Sequence, residues 1–189
     1  MAARKIVCVL KKSDVYDYDY VDRLADGVSR HLTNFEFDVI EDPPWGGWWS
    51  KMGMFSPDVR GDFLYFDLDT IITGPIDDLF TGKLTVLADF NLPLPKFMAT
   101  GVMFVPEAER DEIWRSWVSD PERHMAKHRS HGDGGFLSQF WKHRADRWQD
   151  VRPGKIVSYK VHWRKGEGRD ASVVCFHGKP RPRDVNWTL

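Results

Sequence analysis

The stretch Phe63-Leu64-Tyr65-Phe66-Asp67-Leu68-Asp69-Thr70-Ile71-Ile72 reads as a buried strand that carries two carboxylates one residue apart. A buried carboxylate costs several kcal/mol unless it is paired or ligated. Side chains at i and i+2 of a strand share a face, roughly 6.5–7 Å apart. Asp67 and Asp69 are therefore expected to face the same way, at or just past the carboxyl end of a strand over Phe63–Asp67. In open α/β sheets that edge is where ligands bind. Two hard carboxylates there suit Mn²⁺ or Mg²⁺, which keeps waters and takes substrate phosphates as further ligands. The alternative is that Asp69 caps the turn before Gly74 and Asp67 pairs with a base.

The flanking sequence supports an α/β class with a mostly parallel central sheet flanked by helices. Lys5–Leu10 is a short β-branched apolar run and reads as the first strand. Asp19 to Leu32 places Val21, Leu24, Ala25, Val28 and Leu32 at helical spacing, with Asp17 or Asp19 as cap. Phe35–Ile40 is a second strand, and strand–helix–strand opens a parallel sheet. A short helix is expected over Trp48–Phe55, strands over Leu84–Ala88 and Gly101–Val105, and a Pro-containing loop over Asn91–Lys96. Helices follow over Glu107–Val118 and from Pro121 onward. Gly132-Asp133-Gly134-Gly135 is expected to be a loop before a helix over Phe136–Trp141, and Ser172–Phe176 is the last strand.

The chain has 189 residues, which suggests one domain over 1–189 with a sizeable core. No run approaches the roughly 18 apolar residues of a membrane span. The apolar run Ile6–Leu10 is too short for a signal peptide, so a cytoplasmic protein is expected. Asn186-Trp187-Thr188 fits a glycosylation sequon but carries little meaning in that setting. Cys8 and Cys175 lie in apolar runs and read as buried free thiols. Trp45, Trp48 and Trp49 suggest an exposed apolar patch. Net charge is −1, yet residues 1–90 hold 16 acids against 9 bases and residues 91–189 hold 12 against 18. An acidic motif and a basic tail that meet in the fold would suit a metal and a polyanion at one site.

The tail offers the other half of such a site. Val173 to Pro182 delivers His177 from a strand to a turn at Gly178, with Lys179 beside it. Histidine is a good Mn²⁺ ligand, lysine suits phosphate, and glycine lets backbone approach a ligand. His124 and His128 are four residues apart, as a zinc pair on a helix would be, but no acid or cysteine lies at matching spacing.

Asp67-Leu68-Asp69 after a hydrophobic strand and His177-Gly178-Lys179-Pro180 near the end of the chain resemble the GT-A fold glycosyltransferases, in particular retaining family 8 (glycogenin- and galactosyltransferase-like) and its bacterial and phage relatives. Lys51, Asp89, Thr100-Gly101-Val102-Met103 and His131-Gly132-Asp133 resemble further family landmarks, in the family's order. The resemblance implies a single Rossmann-like GT-A domain, with a donor-binding part over about 1–105 and an acceptor-closing part over about 106–189. It implies a UDP-sugar donor and an acceptor that is a glycan, a lipid-linked sugar or a protein. Mn²⁺ (or Mg²⁺) would be held by Asp67, Asp69 and His177. Gly178 and Lys179 would face the diphosphate. Val9, Leu10 and Lys11 would border the base, and Lys51, Leu68, Asp89 and Gly101 would line the donor site. Asp133 would touch the sugar. Two departures stand out: Gly134 replaces the family's glutamine, and Arg181 replaces the tryptophan after Lys179-Pro180.

Three other readings compete. A haloacid-dehalogenase-type phosphatase also uses a strand-end D-x-D, but with a following glycine that Thr70 replaces here. A nucleotide- or sugar-binding module without catalysis fits the loss of the glutamine. A nucleic-acid binder would use the basic tail with Trp163 and Trp187, but the acidic first half opposes it, so no nucleic-acid partner is expected.

Overall fold

The computed structural model describes residues 3–91 and 98–187. The chain forms β1 (Arg4–Leu10), α1 (Tyr18–His31), β2 (Phe35–Glu41), a 3-10 helix over Gly47–Phe55, β3 (Phe63–Phe66) and β4 (Thr70–Ile72). There follow β5 (Thr85–Ala88), β6 (Met98–Val105), α2 (Asp111–Ser119), α3 (Pro121–Lys127), α4 (Gly132–Trp141), β7 (Asp146–Arg147), α5 (Trp148–Val151), β8 (Ile156–Ser158) and β9 (Val173–Cys175). The expected loop over Asn91–Lys96 and the last residue of the sequon at Thr188 lie outside the described residues, apart from Asn91 itself.

Six strands form the central sheet in the order β2-β1-β3-β6-β5-β7. β1 pairs in parallel with β2 and β3, and β5 with β7, while β6 runs antiparallel to both β3 and β5. A second sheet of three strands, in the order β4-β9-β8, stands beside it.

Strand period assigns the core to the two faces of the central sheet. Ile6, Cys8 and Leu10 of β1 and Leu64 and Phe66 of β3 pack with Leu24 and Val28 of α1. Val7 and Val9, with Phe63 and Tyr65, face the other way onto Trp49, Met52, Trp117, Phe136 and Trp141. Both faces are covered, which is why these strands read as continuous apolar runs rather than alternating ones. Helix α1 is capped by Asp17, whose side chain accepts from the Asp19 amide.

Several expectations are corrected. The stretch Phe63–Ile72 is two strands in two different sheets, joined at Asp67–Asp69 by a turn closed by the Thr70 amide on the Asp67 carbonyl, 3.0 Å. The period-2 argument for Asp67 and Asp69 therefore does not apply. Gly132–Gly135 is not a loop but the first turn of α4. Its glycines permit close packing: a Cβ on Gly135 would stand 2.7 Å from that of His131. The three early tryptophans form no exposed patch. Trp49 stacks on Trp117 with centroids 5.4 Å apart, Trp45 meets Trp114 and Trp117 edge-on, and only Trp48 of the three is exposed.

Candidate active site

β3 ends at Phe66, and the chain leaves the sheet through Asp67, whose amide donates to the Gly101 carbonyl of β6 at 2.8 Å. Its carboxylate turns toward Lys51 on the 3-10 helix, with Nζ–Oδ1 2.9 Å, and accepts from the Tyr65 hydroxyl at 2.7 Å. Lys51 also reaches Asp133 Oδ2 at 3.4 Å and donates to Thr100 Oγ1 at 3.0 Å. Thr100 in turn donates to Asp133. One ammonium thus joins the end of β3, strand β6 and the first turn of α4. Burial alone would lower the Lys51 pKa, but the charges of Asp133 and Asp67 more than offset it and hold it above its usual value. Asp133 sits in the first turn of α4, where the helix dipole favours a carboxylate.

Asp69 lies in the turn between the two sheets and is 5% exposed. Its Oδ2 accepts from the Gly178 amide at 2.9 Å and from the Tyr16 hydroxyl at 3.3 Å. Its backbone carbonyl accepts from the Phe176 amide at 3.1 Å, so the tail is fastened to this turn twice. Burial and then the neighbouring charge of Asp67 push the Asp69 pKa up. Burial and the charge of Asp69 push the Tyr16 hydroxyl to about 12. Asp69 is thus a buried carboxylate held by neutral donors, with its charge unmatched by a bonded cation among the described residues.

His177 follows β9 with φ +38, a left-handed conformation, and Gly178 continues the turn at φ +92. The His177 ring stacks on Phe90, centroids 5.7 Å apart, and its Nε2 pairs with the Ser158 hydroxyl at 2.6 Å. Its carbonyl accepts from Lys160 Nζ at 2.8 Å. Burial and the Lys160 charge lower its pKa to about 4, so the imidazole is neutral at ordinary pH.

Two cavities meet here. The smaller, about 240 Å³, is lined by Asp89, Gly101, Thr100, His131 and Gly134, among others. The larger, about 570 Å³, is lined by Val9, Lys11, Tyr16, Trp48, Leu68, Gly178 and Arg181, among others. Lys51, Asp67, Asp69, Asp133 and His177 line both.

Of the residues expected from the sequence, then, Val9, Lys11, Lys51, Asp67, Leu68, Asp69, Asp89, Gly101, Asp133, His177 and Gly178 border this double cavity. Leu10 does not: it is fully buried in the core on the α1 side of the sheet. Lys179 is exposed and lines neither cavity. Tyr16, Trp48, Ser158 and Arg181 were not anticipated. Ser158 ends β8, a strand too short to show a period, and only the tertiary structure brings Tyr16, Trp48 and Arg181 to the cavity. Among the described residues no further ligand gathers with the paired histidines. His124 stacks on Trp117 and meets Phe136 edge-on, its Nε2 lies 2.9 Å from the Ser116 carbonyl oxygen, and His128 also meets Phe136 edge-on.

The donor chemistry fits a hard divalent cation: two carboxylates, one of them buried with its charge unmatched, and an imidazole kept neutral by burial. Among the described residues, no three histidine, cysteine or acidic side chains are already drawn together as a formed metal cluster.

No protein-family model matches the sequence, and no curated protein matches it. Solved structures do. The chain resembles the apo form of the glycosyltransferase GlyE of Streptococcus pneumoniae TIGR4 at TM-score 0.70 and 16% identity, over 96% of this chain and 56% of that one. It resembles a glycosyltransferase involved in glycosylation of the major capsid of PBCV-1 at TM-score 0.67 and 13% identity, over 97% of each chain. It resembles the galactosyltransferase LgtC, solved with donor and acceptor sugar analogs, at TM-score 0.65 and 12% identity, over 94% of this chain and 88% of that one. The chain spans just over half the length of the GlyE chain it matches. At these identities the likeness establishes the fold, which is the GT-A fold.

Proposed function

We propose that this protein is a metal-dependent glycosyltransferase that moves a sugar from a nucleotide-sugar, specifically a UDP-sugar, to an acceptor. The observation that carries the reading is the meeting of two cavities at Lys51, Asp67, Asp69, Asp133 and His177, on a GT-A fold. The larger cavity has the volume and the Tyr16 and Val9 walls for a nucleoside, and the smaller one has the polar lining for a sugar.

Asp67, Asp69 and His177 would hold Mn²⁺ or Mg²⁺, and the bound cation would neutralise charge on the departing nucleoside diphosphate. The chain's own groups have separable tasks. Lys51 fixes Asp67 and Asp133 relative to each other, so that neither carboxylate has to be ordered on binding. Asp133 keeps acceptor capacity for a sugar hydroxyl, since one of its oxygens is taken by Thr100 and Lys51. Gly178 brings backbone close to the diphosphate position, at a φ that other residues rarely adopt. Retention of anomeric configuration belongs to the same proposal and is read directly from the product by NMR.

A donor-binding module without transfer is the second reading, and Gly134 favours it. This position lines the smaller cavity with no side chain, its missing Cβ aimed at the Met98 carbonyl. A phosphatase using Asp67 as nucleophile is disfavoured by the fold, which is that of solved glycosyltransferases.

The test is thermal stabilisation by a panel of nucleotide-sugars with and without Mn²⁺, since a ligand of the native state raises its stability. Stabilisation by UDP that needs Mn²⁺, vanishes in Asp69→Ala and weakens in His177→Ala supports the proposal. UDP binding indifferent to the metal and to both substitutions overturns it. Metal-dependent donor binding with neither transfer nor donor hydrolysis selects the second reading.

A further inference from the structure

We propose that Arg181, and not the motif lysine Lys179, supplies the side-chain cation for the diphosphate of the nucleotide; the inference rests on the larger cavity being the nucleotide site. One residue, Pro180, separates these bases in sequence, yet they end in different places. Lys179 is exposed and borders neither cavity. Arg181 lines the larger cavity together with Gly178, Asp69 and Tyr16.

The position of Arg181 is built rather than incidental. Its amide donates to Asp184 Oδ2 at 2.7 Å, which anchors the backbone at the start of the 3-10 helix Pro182–Val185. Its guanidinium lies over the Tyr16 ring, 5.6 Å from the centroid. Tyr16 is in turn tied to Asp69. Among the described residues no carboxylate lies within ion-pair distance of Arg181, whereas Arg183 nearby is bridged to Asp17 and Asp19. Among the described residues the buried Arg181 Nε has no hydrogen-bond partner. A buried, unmatched N–H donor on a charged group is costly, so no protein acceptor among the described residues competes with a ligand for this atom.

The ligand chemistry follows from the neighbours. A carboxylate ligand would be repelled by Asp69 and Asp67 on the same wall, unless a divalent cation stood between. A diphosphate brings oxygens enough to bind a cation on its Asp69 side and the guanidinium fork on the other. Arginine presents two parallel N–H groups to phosphate oxygens, which the point charge of lysine does not.

The experiment is calorimetric titration of the whole chain in Mn²⁺ with UDP and, separately, with uridine. Arg181→Gln is expected to weaken UDP about tenfold and leave uridine within twofold. Lys179→Gln is expected to leave UDP within twofold. UDP affinity unchanged in Arg181→Gln overturns the proposal. So does a tenfold loss in Lys179→Gln instead, or an equal loss of UDP and uridine in Arg181→Gln, which would mark Arg181 as a packing residue. An unaltered chain that binds no UDP with any divalent cation overturns the nucleotide site itself, and this inference with it.

Discussion

The amide of Gly178 donates to the carboxylate of Asp69 at 2.9 Å, across 109 residues of chain. This bond joins the turn after β3 to the turn after β9 and makes one site of the two motifs. Gly178 holds φ +92, so a side chain there is strained whatever space surrounds it. Gly178→Ala is expected to cost about 1–3 kcal/mol of backbone strain or to swing the amide off Asp69. Either way, Mn²⁺-dependent UDP affinity should fall about tenfold, measured by calorimetry. Undiminished affinity would show that the amide does not set the Asp69 position.

Lys51 is the only cation bonded to Asp67 or Asp133 among the described residues. Lys51→Met keeps the volume and removes the charge, leaving two carboxylates unpaired. Removing one partner of a buried ion pair costs about 3–5 kcal/mol. Urea denaturation at neutral pH should show a loss of that size. A loss below about 1 kcal/mol at neutral pH would mean that water or movement satisfies the pair.

Gly132 has φ +58, and a Cβ there would lie 2.8 Å from the indole of Trp48. Gly132→Ala is expected to cost about 1–2 kcal/mol for the left-handed backbone, plus the displacement of the ring. In a Trp48→Ala background only the backbone part should remain. Denaturation of the two single variants and the double variant gives the coupling between the sites. Strict additivity would show that the half-exposed indole moves aside freely.

Burial raises the Cys8 thiol from 9.0 to about 12. The folded state therefore keeps its proton where the unfolded chain loses it. The stability this contributes is fully present below pH 9 and is lost as pH rises toward 12. Between pH 9 and 10.5, the urea midpoint of the natural sequence should fall more steeply than that of Cys8→Ala. In native protein at pH 9, Cys8 should resist iodoacetamide. Rapid native alkylation at this position would contradict its burial.

Much of the fold was legible in the apolar pattern. β1, α1 and the end of β3 were visible because their buried faces are runs or stripes of apolar residues, and the half-buried β2 because its residues favour strands. The 3-10 helix after Gly46 and the strands on either side of residues 92–97 were visible for the same reason. Asp67, Asp69 and His177 stood out because a carboxylate or imidazole beside an apolar strand needs a physical reason. Glycines hid the start of α4, since Gly134 and Gly135 suggest a loop when read locally, whereas they serve close contact with β6 and His131.

By itself, then, the sequence determined which segments are buried, and that the chemistry gathers at the ends of apolar strands. Tertiary structure alone decided which side chains meet. Strand period does not extend through a turn, so the shared orientation of Asp67 and Asp69 is set by the change from one sheet to the other. Lys179 and Arg181 both follow a left-handed turn at His177 and Gly178, yet Lys179 is exposed and only Arg181 lines the cavity. Spacing along the chain encodes faces of regular elements, and it carries no information about directions after an irregular turn.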